Sequence, residues 1–179
     1  MEPWYIATER FGPGNGDSWT KYILWSGLDW LEEIVSLDPM LCKTVLPEIK
    51  AEYWDHIVNE DFMLNFFTDL DFLLTEVSGI PEKNVLCVFR NPPGHPCVTG
   101  LAISFQSLGY DLVEVMGSAS ALSNCGGFPK AFSNAELTGK GLLATRERAF
   151  EVQDALRCLY PDEPHADCLV WAIFRAEGL

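Results

Sequence analysis

Between Glu48 and Glu76 the chain carries eight carboxylates against one cation, Lys50, and interleaves them with Tyr53, Trp54, Phe62, Phe66, Phe67 and Phe72. A charged stretch poor in apolar residues stays solvated and unfolded. One this aromatic has to bury its rings and hold its charge on a surface. The imbalance reaches beyond the segment. Residues 1–80 hold fifteen acids and four bases, residues 81–179 hold eleven and eight, and the whole chain sums to -14. A field of that sign repels nucleic acid and anionic membranes and attracts basic proteins or cations.

A chain of 179 residues suits one domain, 1–179, which buries roughly 70% of the surface its unfolded form exposes. No run reaches the ~20 apolar residues of a membrane span. The start, Met1-Glu-Pro-Trp-Tyr-Ile, places an acid where a secretory leader carries bases. With a core large enough to need no staples, the six cysteines are expected to be reduced thiols in a cytoplasmic protein. Cys42, Cys87 and Cys158 lie in apolar contexts and are expected to pack as small core residues.

Trp4–Glu9 and Thr20–Trp25 read as two strands of a hairpin around the turn cluster Gly12-Pro-Gly-Asn-Gly-Asp17. That cluster lacks the Gly-Lys-Ser/Thr ending of a phosphate loop and is expected to precede a strand. Asp29 caps a short helix carrying Leu31, Ile34 and Val35, and Tyr53–Val58 fits a strand. A longer helix is expected from Asn59 or Glu60 to Val77, with Phe62, Phe66, Leu70, Leu73, Leu74 and Val77 at steps of three and four and Asp61, Asn65 and Asp69 on a polar stripe. Asn84–Arg90 is the clearest buried strand. Leu101–Phe105 and Tyr110–Met116 are further strands separated by Gly109. Ser133-Asn-Ala-Glu136 matches a capping box, Arg146–Leu159 a helix and Cys168–Phe174 a terminal strand. Strands come as a pair and then mix with helices, with no regular alternation. The pattern predicts an α+β domain with a mixed or mainly antiparallel sheet and packed helices near 60–77 and 146–159.

Three constellations bear on chemistry. The first is Asn124-Cys125-Gly126-Gly127, a thiol followed by bare backbone, with His165 and Asp167 downstream. A nucleophilic thiol needs a base, a group that orients the base, and N–H donors for the oxyanion. The order Cys125, His165, Asp167 resembles cysteine hydrolases of the papain-like and peptidoglycan-peptidase kinds. The resemblance covers these residues alone. In those families the cysteine opens a long helix, whereas here Gly126, Gly127 and Pro129 follow it. The second is His95-Pro-Cys97 with His165-Ala-Asp-Cys168, a zinc-compatible set whose pairs lack the usual Cys-x2-Cys or His-x3-His spacing. No metal or cofactor is expected. The third is the acidic segment itself. Its carboxylates fit neither a calcium loop nor a same-face glycosidase pair on a helix.

The reading that results is an acidic cytoplasmic protein-interaction domain. Its partner is a basic protein surface, met through Asp55, Glu60, Asp61, Asp69 and Asp71, with no nucleic acid and no membrane as partner. In size and acidity it broadly resembles bacterial immunity and inhibitor proteins, a likeness of composition. The alternative is a hydrolase using Cys125, His165 and Asp167. The sequence sets no oligomeric state.

Overall fold

In the computed structural model, residues 2–58, 63–115, 119–124 and 127–179 are described. Four strands, β1 (Trp4–Glu9), β2 (Lys83–Arg90), β3 (Phe105–Glu114) and β4 (Cys168–Ala176), form one sheet in the order β1-β2-β4-β3. Every pairing is antiparallel. With α1 (Asp17–Ser26), α2 (Leu70–Glu76) and α3 (Arg146–Leu159) this is the expected α+β class. β2 is an inner strand, as its unbroken apolar run predicts, because a strand covered on both faces needs no polar alternation.

The two faces of the sheet are covered differently. On one, Tyr5, Ala7, Val85, Cys87, Leu112 and Val170 join a cluster with Leu70 and Leu73 of α2 and Ala149, Val152 and Leu156 of α3. The other presents Ile6, Leu86, Val88, Val113, Trp171 and Ile173, and meets Val35, Leu37, Leu64, Phe66 and Leu142. None of these covering residues belongs to a helix. Four of the five come from residues 27–69, a strap whose described part holds only the single 3-10 turn Ala51–Tyr53.

The strap also closes an edge. Tyr5 N donates to Phe67 O at 2.8 Å and Phe67 N to Tyr5 O at 2.7 Å, Val45 N donates to Ala7 O at 3.0 Å, and Glu9 N to Lys43 O at 2.7 Å. Four outward backbone groups of β1 are thereby paired, which covers what would be an open strand edge. At the opposite edge Tyr110 and Leu143 exchange bonds of 2.8 and 3.0 Å, and Ala121 N donates to Leu112 O at 2.8 Å. Gly109 permits that approach. Its φ is +136°, and a Cβ there would meet Leu143 O at 2.6 Å. Its neighbourhood carries the register shift of β3, so 105–114 is one strand running through Gly109 rather than two separated by it.

Several expected elements differ. Thr20–Trp25 is not a strand but part of α1, and β1 pairs with β2, not with a local hairpin partner. Gly16 (φ +56°) turns the chain into the helix, and Gly27 (φ +68°, left-handed) closes it with its N–H on Ile23 O. The glycine turn therefore opens a helix and does not precede a strand. The expected helix to Val77 begins only at Leu70, and Met63–Asp69 is not helical. Phe66 and Phe67 show why. They are adjacent and both buried, yet Phe66 enters one core cluster and Phe67 the other, the opposite-side alternation of an extended chain. Residues 29–38 form no helix, and Tyr53–Val58 is a turn with one bridge at Ile57 rather than a strand. The capping box at Ser133–Glu136 is present and opens a 3-10 turn, Asn134–Glu136. Cys42 and Cys87 are buried as expected, but Cys158, facing outward near the end of α3, is exposed; the five described cysteines are unpaired.

Candidate functional site

The acidic segment is built around Tyr53. Its ring is buried between Phe67 and Phe72, with centroids at 5.6 and 5.5 Å. Its hydroxyl donates to Glu76 Oε2 at 2.7 Å, and Lys50 Nζ reaches the same oxygen at 3.2 Å. The phenol and then the ammonium hold the Glu76 carboxyl below the usual carboxylate range. Three residues on, His56 stacks on Phe72 at 3.9 Å and 8°, with Nδ1 3.4 Å from Asp69 Oδ2. Thr68 N donates to His56 O at 2.7 Å. Residues 50–56 are thus fixed onto α2 by ring contacts, the phenol hydrogen bond and an ion pair, and onto Thr68 by a backbone bond.

That anchoring dictates what points outward. Trp54 is 63% exposed, and Glu48, Glu52 and Asp55 around it are exposed as well. Asp69 caps α2, accepting from Phe72 N at 3.0 Å, and Asp71 lies exposed in its first turn, where the helix dipole favours an anion. Of the acids expected at the site, Asp55 adjoins His56, which contacts Asp69, and Asp71 follows two residues on. Glu60 and Asp61 lie outside the described residues. The polar stripe Asp61–Asn65–Asp69 does not form as a helical face, because 63–69 is not helical. Beside the start of α2 a groove of about 560 Å3 opens against Gly100, Leu101 and Ala102, with Tyr5, Asp69 and Asp71 in its lining.

The thiol-based alternative is half visible. Cys125 lies outside the described residues. His165 is buried, with Nδ1 2.9 Å from Glu114 Oε1 but without a hydrogen bond at that nitrogen among the described residues, and its ring meets Phe128 edge-on at 5.2 Å. The carboxylate beside it is Glu114 and not Asp167. Asp167 is exposed and offers its backbone oxygen to Val115 N. Of the zinc-compatible set, His95 is exposed and contacts Glu147 at 3.2 Å, whereas Cys168 is buried and its thiol is pushed up to about 12, chiefly by burial. Among the described residues no group of three or more His, Cys, Asp or Glu is placed to hold a metal. The glycine turn borders a cavity of about 400 Å3 whose lining includes Arg10 and Lys140 but also Glu32, Glu33 and Glu82, a poor environment for phosphate.

A polar cluster that the sequence reading missed lies beneath the strap. Asp38 and Asp111 are both fully buried. Asp111 Oδ2 accepts from Ser36 Oγ (2.6 Å) and Leu37 N (3.2 Å), and Oδ1 from Ser120 Oγ (2.6 Å) and Leu112 N (2.9 Å). Asp38 accepts from Met40 N (2.8 Å), Leu41 N (3.4 Å), Ser120 N (2.9 Å) and Asn124 Nδ2 (2.8 Å). Burial pushes the Asp111 carboxyl up, against the hydrogen bonds of Ser120 and Ser36. With every donor supplied by the strap, β3 or the 120–124 loop, the cluster ties these three together. One signal was readable: an acid inside the apolar run Tyr110–Met116 has to be paired if that run is a buried strand.

No helix of the described residues is long and apolar enough to cross a membrane. Comparison with protein-family models, with curated proteins and with solved structures gives no match.

Proposed function

We propose that the chain is an acidic cytoplasmic protein-interaction domain that docks a basic protein surface, in the manner of an immunity or inhibitor protein. The observation that carries this reading is Trp54. A large ring held 63% exposed by a buried, hydrogen-bonded neighbour is preorganised, and it stands among exposed carboxylates. Aromatic anchors of this kind concentrate binding energy, and a surrounding field of one sign steers the partner and sets the salt dependence of association. Affinity-purification mass spectrometry from the native source identifies the partner. Association rates are then measured across ionic strength for the wild type and for Glu52→Lys with Asp55→Lys. The double reversal should slow association by at least tenfold at low salt and flatten its salt dependence, because steering acts over about a Debye length, ~10 Å at 0.1 M. Association indifferent both to salt and to the reversal removes this reading.

A second reading, the cysteine hydrolase, draws on the close approach of His165 and Glu114, an imidazole beside a carboxylate that would have to realign to orient it. It expects Cys125→Ala to abolish a hydrolytic activity that the acidic-face reversals leave unchanged.

A further inference from the structure

We propose that the groove beside α2 receives a cationic side chain, arginine or lysine, of the basic partner, so that Tyr5, Asp69 and Asp71 read one residue of it. The inference rests on the acidic-face reading and names a contact separate from Trp54. Tyr5 is 4% exposed, and buried phenols ordinarily bond something. Its backbone N–H and C=O are both taken by Phe67, but its hydroxyl makes no hydrogen bond among the described residues. Tyr5 lines the groove, which leaves a phenol oxygen for an incoming N–H donor. The Asp71 carboxylate, also in the lining, has no hydrogen bond or ion pair among the described residues. Asp69 has one oxygen on Phe72 N and the other facing His56, so it contributes charge and not a free pair of acceptors.

No lysine, arginine or histidine lines the groove. Among the described residues, the Asp71 carboxylate and the Tyr5 hydroxyl therefore border the groove with no cation in its lining to answer them. The lining also holds Leu101, itself partly exposed, an apolar surface on which the methylene stem of a basic side chain can lie while its head reaches the carboxylates. A guanidinium matches this arrangement through charge-assisted hydrogen bonds to a carboxylate, and an ammonium does so as a point charge.

The test is an NMR titration of the 15N-labelled protein with the peptide acetyl-Gly-Arg-Gly-Arg-Gly-amide. Saturable shifts are expected at Tyr5, Asp69–Asp71 and Gly100–Ala102. Asp71→Asn should weaken the peptide by about tenfold or more, the scale of a hydrogen bond to a charged group, and Tyr5→Phe by several-fold. Tyr5→Phe removes a hydroxyl that bonds none of the described residues, so its fold should be unchanged. The same peptide with citrulline for arginine should show no saturable shifts there. Agmatine, a guanidinium without the peptide, should bind at least tenfold more weakly. Equal binding of the citrulline peptide or of agmatine overturns the proposal, the first because charge is not read and the second because the site would serve a free amine. Shifts confined to Glu52–His56 overturn the groove assignment and leave the acidic-face reading standing. Absence of saturable shifts anywhere overturns the groove proposal, and the acidic-face reading then stands or falls on the association rates of the captured partner.

Discussion

One face of the sheet packs against α2 and α3 together with irregular segments, strap residues such as Ile34 and Phe67 among them, whereas the residues covering the other are all non-helical, and helix and strap solve the same problem by different means. Where a helix covers the sheet its backbone satisfies itself, so side chains such as Leu73 and Leu156 need only fit. The strap has no such ladder. Its polar groups are paired one at a time: Ile34 N on Phe11 O, Val35 N on Lys140 O, Phe67 with Tyr5, and the hydroxyl and amides around Asp38 and Asp111. Irregular backbone can lie on a core only if each buried N–H and C=O finds a partner. Long segments without secondary structure are uncommon in compact domains and commonly carry function. The strap fits that pattern, since five of the ten exposed large apolar side chains among the described residues, Trp30, Met40, Ile49, Trp54 and Met63, belong to it.

The largest effect should come from cutting the apolar tie between strap and sheet. Phe66 stacks on Trp171 at 5.3 Å and 10° and meets Trp4 at 5.6 Å. Phe66→Ala should cost about 3–5 kcal/mol in denaturant unfolding. It should also raise hydrogen exchange in the strap before it does so in α3. Uniform loss of protection would erase the distinction between the layers.

Cutting a polar tie should cost less. In Asp111→Asn one oxygen becomes an NH2 group. The serine hydroxyl on that side can rotate to accept from it, but the backbone N–H beside it, of Leu37 or Leu112, cannot. One buried donor is orphaned, worth about 1–3 kcal/mol. The pH dependence has a definite sign. Burial raises this carboxyl above its unfolded value, so its ionisation costs the fold stability as pH rises through the raised value. The amide removes that cost, and the penalty of Asp111→Asn should be smaller at pH 8 than at pH 4.

Glu33 sharpens the comparison with the opposite sign. It lies in the strap and binds Arg175 of β4 at 2.6 Å and Lys140 at 2.8 Å. Burial alone would raise its carboxyl, but the hydrogen bonds from Lys140 and Arg175 outweigh this and hold it below the usual range. A depressed acid stabilises the fold above its unfolded pKa, about 4.3 for glutamate, and that contribution is lost as pH falls through the folded value. Glu33→Gln should therefore cost stability at neutral pH and converge on the wild type in acid. A difference that grows toward acid would contradict the ion-pair account.

The contrast between layers also explains what the sequence could show. β2 and α3 were legible because their local patterns, an apolar run and apolar residues at helical steps, match the structures that bury them. α1 was misread because Tyr22, Ile23 and Trp25 favour strands, although Asp17 in the first turn and Gly27 at the end were helix signals in plain view. Phe66, Leu70, Leu73 and Val77 sit at helical steps, yet the first belongs to extended chain. Spacing says nothing of which face of a sheet a ring enters. Of the site, the acids and their aromatic company were readable, whereas the groove depends on Gly100–Ala102 and Tyr5, far apart in sequence.

The smallest effect on folding should be at Trp54, and it is the most informative. Trp54→Ala removes a ring that is mostly in water, while Tyr53 and the His56–Phe72 stack stay in place. Stability should change by no more than about 0.5 kcal/mol, with the protection pattern of 50–56 unchanged. Binding of the captured partner should nevertheless weaken by about 2 kcal/mol or more, the range of an aromatic hot spot, mainly through faster dissociation because the steering charges remain. The combination separates the alternatives. A ring exposed only because the strap packs loosely would alter local protection and leave the partner's off-rate alone. A ring held out for contact does the reverse, and Glu52 and Asp55 then act on the on-rate while Trp54 acts on the off-rate.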